Sequence, residues 1–282
     1  MAWTGNGTQS SPWQISDGSS AGNNVTAYRN GSTLYINGSG NMADFWDSLE
    51  GEAPWYSERT SIYTVTIQNG VTNIGNRAFH DCSNLQTITT IPSTVTIIGR
   101  QAFYNCTNTN FTAITIPNTV HTIEGEAFLN CTSLKTVTIE NGYKNLLFIR
   151  YQEDGSYFAT YHGDWFKNCP IQTLHLGRNY TLETGVGIGT IYYPFSGITT
   201  LTTLTIGSLV TTIDSQAFAN CNLLKTVTLQ DGTENLAFSG SNHFLNAPIE
   251  TLYLGRNIFT GLVYNMYNNI PFSENTALKT LT

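Results

Sequence analysis

The chain has 282 residues and a formal net charge of −7; 40% of its residues are hydrophobic, 12% are aromatic and only 11% are charged. The few lysines and arginines are scattered along the sequence, which excludes the clustered cationic face that binding to nucleic acid would require. No apolar stretch approaches the roughly 20 residues of a membrane-spanning helix, so membrane insertion is excluded as well.

The first 61 residues precede the repetitive part of the chain. Two alternating segments, 25–28 and 33–36, flank an Asn-Gly turn at 29–32, which is a pattern typical of a β-hairpin. Trp46 and Trp55 follow this predicted hairpin. Because the first unit of a repeat array exposes its core unless something covers it, we expect residues 1–61 to form a β-rich N-terminal cap.

From about residue 62 onward the chain repeats itself around a phenylalanine that usually follows a small residue. Successive anchor phenylalanines are 24, 25, 38, 29, 23, 26 and 28 residues apart. Periods of 20 to 29 residues are those of leucine-rich repeats. The anchors are Phe79, Phe103, Phe128, Phe166, Phe195, Phe218, Phe244 and Phe272.

Each repeat also contains a short alternating strand, as in 134–139 and 224–229. A single unit is too small to bury both its strand and its phenylalanine, so neighbouring units must stack and share one core. We therefore predict a parallel sheet of about eight strands, on the order of 40 Å across at the usual strand spacing. The anchor rings should lie in one interior file.

All five cysteines, at positions 82, 106, 131, 169 and 221, come three residues after an anchor phenylalanine. This regular position predicts one buried column of free thiols rather than a disulfide framework. The chain has no closely spaced pair of Cys or His of the kind that zinc requires, and its histidines and carboxylates are dispersed. We expect no metal, no cofactor and no catalytic residue.

Alternation also predicts which strand residues face solvent. Pairs of threonines occupy most of these outward positions, and two units replace the second threonine with His175 and Tyr253, next to Thr173 and Thr251. These four residues are candidate ligand-binding residues.

A longer period relates 146–179 to 235–257. The first copy has 12 extra residues between its anchors, 38 against 26, and they fall around 150–164. We predict a protruding loop there, and its Tyr151, Tyr157 and Tyr161 are further candidates for ligand contact.

The pattern from Ile74 to Leu85, followed by a strand and by Ile91-Pro92, resembles the BspA-like class of leucine-rich repeats over about residues 62–282. The resemblance implies a right-handed curved solenoid, mostly β and loop, with a parallel sheet on one face. We therefore divide the chain into a capping segment, 1–61, and an array of about eight coils, 62–282, whose last coil is incomplete.

The resemblance also implies a bacterial protein that is secreted or lies on the cell surface, and we expect its signal peptide to have been removed. The predicted function is a protein-binding or adhesion module that acts as a monomer, and its expected partner is an extracellular host or matrix protein, or another cell surface. Two alternatives remain open: a structural spacer that holds another domain, and a carbohydrate-binding domain.

Overall fold

The computed structural model describes residues 3–19, 21–46, 51–152, 161–183, 193–260, 271–272 and 275–282. These residues form short β-strands joined by turns, and their one helix is a 3₁₀ helix, Tyr56–Ser61. The first three strands are β1 (Trp13–Gln14), β2 (Thr26–Asn30) and β3 (Thr33–Asn37).

The predicted N-terminal hairpin is present. β2 and β3 pair antiparallel, with Tyr28 opposite Tyr35, and a two-residue turn joins them, where Gly31 adopts a φ of 59°. A positive φ at the first turn residue fits the tight hairpin geometry that glycine allows. β3 then pairs in parallel with the first strand of the array. The hairpin is thus continuous with the repeats, while its role as a cap stays a prediction.

Each following coil contributes one strand to an outer sheet and most contribute a second, shorter strand. The outer-sheet strands are β4 (Thr64–Ile67), β6 (Thr87–Ile88), β8 (Ala113–Ile116), β10 (Thr136–Ile139), β14 (Thr173–Leu176), β16 (Thr203–Ile206), β18 (Thr226–Leu229), β20 (Thr251–Leu254) and β22 (Thr280–Leu281). The second strands are β5 (Asn73–Ile74), β7 (Ile97–Ile98), β9 (Thr122–Ile123), β11 (Leu146–Phe148), β15 (Tyr180–Leu182), β17 (Thr212–Ile213), β19 (Leu236–Phe238) and β21 (Ile258–Thr260).

Alternation places the strand residues as predicted. Val137, Leu174, Leu204 and Val227 lie opposite one another on successive strands, and all four are fully buried. The intervening threonines face solvent. A shift of one residue in any strand would move its apolar side chain to the solvent-exposed face. The alternation that the strands share therefore fixes their register.

The outer sheet is not continuous, which corrects the prediction of a single sheet about eight coils wide. β1, β2, β3, β4 and β6 form a five-stranded sheet. A separate seven-stranded sheet contains β8, β10, β14, β16, β18, β20 and β22. The break coincides with a local insertion. β6 begins at Thr87, five residues after Cys82, whereas β8 begins at Ala113, seven residues after Cys106.

The second strands form parallel sheets of their own, which the sequence analysis did not predict. β5, β7, β9, β11 and β15 make a five-stranded sheet, and β17, β19 and β21 make a three-stranded one. Each strand is only two or three residues long, too short for alternation to show in the sequence.

The anchor phenylalanines form the predicted single file. Successive ring centroids lie 5.2, 5.2, 5.3, 6.0, 6.0, 5.6 and 4.9 Å apart from Phe79 to Phe272, and every pair is stacked. Trp55 stacks on Phe79 at 6.4 Å and extends the file toward the N terminus. Since each ring is covered by the rings of its neighbours, the interior is one continuous core.

The cysteines are buried and unpaired, as predicted. The thiol of Cys106 donates a hydrogen bond to the carbonyl of Phe79, one coil earlier, at 3.3 Å, and that of Cys131 donates to Phe103 at 3.1 Å. The thiols of Cys169 and Cys221 make the equivalent hydrogen bonds to the carbonyls of Phe128 and Phe195. Burial raises the pKa of the Cys82 and Cys221 thiols to about 12, so these sulfurs are poor nucleophiles.

The turn around each phenylalanine depends on left-handed backbone conformations. Two residues after the ring, a positive φ occurs at Asp81, Asn105, Asn130, Asn168, Gly197, Asn220 and Asn246. Asp, Asn and Gly are the residues that tolerate this region. The amide of Asn168 also donates to the side-chain oxygen of Asn130 at 2.7 Å. The recurrence of these residue types could have been noticed in the sequence.

We predict that Asn130→Ala destabilises the fold by about 1–2 kcal/mol, because a Cβ-bearing residue without a local polar group pays the cost of left-handed backbone. Asn130→Gly keeps the φ of 62° without that cost and should lose only a few tenths of a kcal/mol. Urea denaturation measures both variants, and equal losses would show that the backbone conformation does not matter.

Candidate binding face

The candidate site is the outward side of the seven-stranded sheet, which we call the threonine face. Two rows of outward side chains cross its strands in register. The first row is Ala113, Thr136, Thr173, Thr203, Thr226, Thr251 and Thr280, and the second is Thr115, Thr138, His175, Thr205, Thr228 and Tyr253. The structure therefore brings together the four strand residues that the sequence analysis named.

His175 projects from β14 and is half-buried. Its Nε2 lies 3.0 Å from Oδ1 of Asn141 on the preceding coil, an arrangement in which the Nε2–H donates. Burial lowers the pKa of His175, since the low-dielectric surroundings disfavour the charged ring. The site thus presents a neutral, oriented imidazole at neutral pH.

Tyr253 projects from β20 and is 37% exposed. Its hydroxyl donates to Oδ1 of Asp231 on the preceding coil at 3.0 Å. This hydrogen bond to a carboxylate raises the pKa of Tyr253. The bond fixes the phenol ring against the sheet and reduces the rotamer freedom that a ligand would otherwise have to remove.

His175 and Tyr253 occupy the same position in the two copies of the longer repeat. Asn141-Gly142 and Asp231-Gly232 follow the preceding strand in each copy, and each supplies the oxygen that holds the ring. The sequence analysis missed these two partners, although their matching positions were visible. Three strand spacings separate the two rings along the row, about 14 Å, with Thr205 and Thr228 between them.

A buried arginine anchors the end of each ring-bearing strand. Arg178 is fully buried, and its two terminal nitrogens donate to the carbonyls of Asn118 at 2.6 Å and Pro117 at 2.8 Å. The two terminal nitrogens of Arg256 likewise donate to the carbonyls of Ser208 at 2.9 Å and Gly207 at 2.8 Å. We call each of these two-bond arrangements an arginine fork.

Both forks reach the coil two units earlier, and therefore tie three coils together directly beside the rings. Burial lowers the pKa of Arg178 to about 10, so this guanidinium stays charged at neutral pH.

A line of charges borders the threonine face. Glu250 lies between Lys225 and Lys279, with oxygen-to-nitrogen distances of 3.1 and 2.9 Å. Hydrogen bonds from the two lysines lower the pKa of Glu250. Because both lysines are well exposed, these pairs add little stability, and they leave the rim of the face polar.

The predicted loop around 150–164 begins and ends as a short antiparallel pair, β12 (Tyr151–Gln152) and β13 (Tyr161–His162). Tyr151 and Tyr161 lie on these strands. Tyr157 lies outside the described residues, as do the side chains of the other two. A role for the three tyrosines in binding stays a prediction.

The described residues contain neither a metal-binding cluster nor a membrane-spanning helix. Within them, no three His, Cys, Asp or Glu side chains come together in a way that could hold a metal ion. The same part of the chain contains no helix with the length and apolar character needed to cross a bilayer.

A family model for the BspA type leucine rich repeat region matches residues 54–150 and 158–274, in six copies. The chain belongs to the BspA-type leucine-rich repeat family. This membership and the parallel sheets confirm the predicted fold class, while the handedness of the solenoid stays a prediction. Membership of this family is consistent with a role for the chain as a protein-interaction module. No curated protein matches the chain.

The chain is also similar to solved structures of low sequence identity, of which three follow. A leucine-rich repeat protein from T. pallidum is 18% identical, with 74% of this chain and 78% of that chain covered and a TM-score of 0.42. One from Eubacterium ventriosum is 16% identical, covering 92% and 91%, with a TM-score of 0.31. A leucine rich cell surface protein from Faecalibacterium prausnitzii is 18% identical, covering 91% and 92%, with a TM-score of 0.27.

Proposed function

We propose that this protein is an extracellular or cell-surface binding module that recognises a host or matrix protein, or a protein on another cell, through the threonine face. The observation that carries the proposal is the pair of oriented rings, His175 and Tyr253. Each is fixed by a hydrogen bond to the preceding coil, on a strand that an adjacent buried arginine anchors.

The chemistry of this face suits a protein partner. Aromatic residues with a polar tip give large contact area at low entropic cost and dominate protein interfaces. The threonines between the rings offer methyl groups and hydroxyls without a net charge, so they can pack against apolar atoms and also bond to backbone groups. The bordering ion pairs of Glu250 resemble the polar rim of an ordinary interface.

The proposal predicts that His175→Ala and Tyr253→Ala each weaken binding about tenfold or more, the loss expected when about 1.4 kcal/mol of contact energy is removed. The melting temperature should move by no more than about 2 °C, since neither ring lies in the core. Surface plasmon resonance against immobilised collagen, fibronectin, laminin and fibrinogen identifies a ligand and then ranks the variants.

Tyr143 supplies the matched control. It is 91% exposed and lies outside the strands of the sheet, so Tyr143→Ala should leave affinity unchanged. If neither His175→Ala nor Tyr253→Ala changes the affinity for the ligand, the binding surface lies elsewhere on the molecule.

A structural spacer and a carbohydrate-binding domain are the competing functions. A spacer retains no matrix protein above background in the same assay. A carbohydrate-binding domain gives signals on a glycan array that depend on Tyr253. The proposal predicts that the chain retains a matrix protein and gives no binding signal on the glycan array.

A further inference from the structure

The break in the outer sheet leaves two strand edges facing each other within the array. β6 pairs with β4, and β8 pairs with β10. No Cα atom of β6 lies within 8 Å of a Cα atom of β8, whereas paired strands lie about 4.8 Å apart. The same coils remain in contact elsewhere, since the rings of Phe79 and Phe103 stack at 5.2 Å and β5, β7 and β9 pair continuously. The gap is confined to the outward sheet.

Hydrogen-bonding groups line both sides of this gap. In the paired coils, the backbone N–H of the outward residue donates to the preceding coil, as Thr136 does to Thr112 at 3.0 Å. The equivalent residues on β8 are Ala113 and Thr115. Within the described chain neither has a backbone partner on the β6 side. On the opposite wall, the carbonyl of Ile88 accepts only a long contact, 3.4 Å, from the Thr87 hydroxyl.

A cavity of about 260 Å³ occupies the gap. Its walls are formed by residues of both strands and by the chain that follows them: Ile88, Thr89, Thr90, Ile91, Ala113, Ile114, Thr115, Pro117 and Glu140. Isoleucines and threonines both belong to the lining. Glu140 lies at the end toward which β8 runs, and its carboxylate already accepts the backbone N–H of Asn118 at 3.0 Å. The lining is therefore suited to an alternating strand.

We propose that this gap is a strand-addition site, which takes up one extended segment of a partner protein in parallel with both β6 and β8. A strand with a neighbour on each side needs about 9.6 Å between those neighbours, which agrees with a separation greater than 8 Å. Carbonyls of the segment accept the N–H groups of Ala113 and Thr115, and its N–H groups donate to Ile88. Unpaired edges are the usual templates for such pairing.

The chemistry of the walls defines the segment. Alternate residues must be apolar where they face Ile114, and polar where they face solvent. A basic residue at the C-terminal end is favoured by Glu140. The site is separate from His175 and Tyr253, so it does not depend on the function proposed above.

The test uses the full chain and a fluorescent peptide with the sequence Leu-Lys-Thr-Val-Thr-Ile-Lys, which copies residues 134–139 of this chain and adds a C-terminal lysine. A peptide with proline in place of valine is the control, because proline cannot donate a backbone hydrogen bond. Binding is followed by fluorescence anisotropy at a concentration where sedimentation shows a monomer, and amide exchange is followed by NMR.

We expect the first peptide to bind and to slow exchange at Ala113 and Thr115, and the proline peptide to do neither. Ala113→Pro should fold normally, because the N–H that it removes has no partner in the sheet, and should reduce peptide affinity at least tenfold. His175→Ala and Tyr253→Ala should leave peptide affinity unchanged, which separates a failure here from a failure of the threonine face.

Three results would overturn the proposal. The first is slow exchange at Ala113 and Thr115 without peptide, which means a closed gap. The second is equal binding of both peptides. The third is protection that grows with the concentration of the chain alone, which means that a second copy, and not a partner protein, fills the gap. If Ala113→Pro fails to fold, amide exchange at Ala113 and Thr115 in the unmodified chain, with and without peptide, still shows whether the peptide occupies the gap.

Discussion

Phe128→Ala is expected to lower the free energy of unfolding by about 3–5 kcal/mol, the usual cost of removing a fully buried benzyl group. Phe128 is fully buried and stacks on Phe103 at 5.2 Å and on Phe166 at 5.3 Å. The cavity therefore opens between two neighbouring coils and removes contacts from both. In a stacked array, stability includes the interfaces between neighbours, so the loss is not confined to the mutated coil.

Phe272→Ala is the matched comparison for this prediction. Phe272 is only partly buried and stacks on Phe244 at 4.9 Å, so its removal should cost about 1–2 kcal/mol. Chemical denaturation followed by circular dichroism measures both variants. A smaller loss for Phe128→Ala than for Phe272→Ala would mean that the ring file does not hold the array together.

Arg178→Ala should cost about 2–5 kcal/mol, because it leaves a cavity where a long side chain was buried and removes two hydrogen bonds from a charged donor. Arg178→Lys keeps the charge but replaces the two planar terminal nitrogens with a single one, so the bonds to Pro117 and Asn118 lose their favourable geometry. We expect it to lose about 1–3 kcal/mol. Thermal unfolding by calorimetry measures both variants.

Lys144→Ala is the surface control for the arginine variants, since Lys144 is exposed and should change stability by less than about 0.5 kcal/mol. Loss of the arginine fork should also lower the affinity for any ligand that contacts His175, because the end of β14 is no longer bonded to the earlier coil. Full stability in Arg178→Ala would show that the guanidinium is not part of the structural core.

Much of the fold could be predicted because it repeats. The spacing of the phenylalanines and the two-residue alternation around Val137 are local patterns, and stacking multiplies each of them several times. The rows that carry His175 and Tyr253 followed from the same alternation. The regular position of the cysteines likewise predicted their burial, which Cys131 illustrates.

The features that could not be predicted depend on contacts between coils. The fork of Arg178 reaches back 61 residues to Pro117, and no local pattern specifies that distance. The oxygens of Asn141 and Asp231 could have been noted from the longer repeat, but their bonds to the rings depend on side-chain geometry. The extra residues between Cys106 and β8 could have formed a bulge that preserved pairing; in the structure, β6 and β8 separate instead.

The most direct test of the stacked, in-register face is disulfide formation between engineered cysteines. Thr203 and Thr226 lie opposite each other on β16 and β18, at a spacing of about 4.8 Å that a disulfide can bridge. Thr203 and Thr251 are two strands apart, about 9.6 Å, beyond that reach.

We predict that the variant with cysteines at 203 and 226 oxidises within the monomer, and that variants with cysteines at 203 and 251, or at 87 and 113 across the gap, do not. Mass spectrometry of the oxidised monomers reads out each bond. Rapid linkage of 203 to 251, or failure of 203 to link to 226, would contradict the arrangement of coils on which the proposed binding face depends.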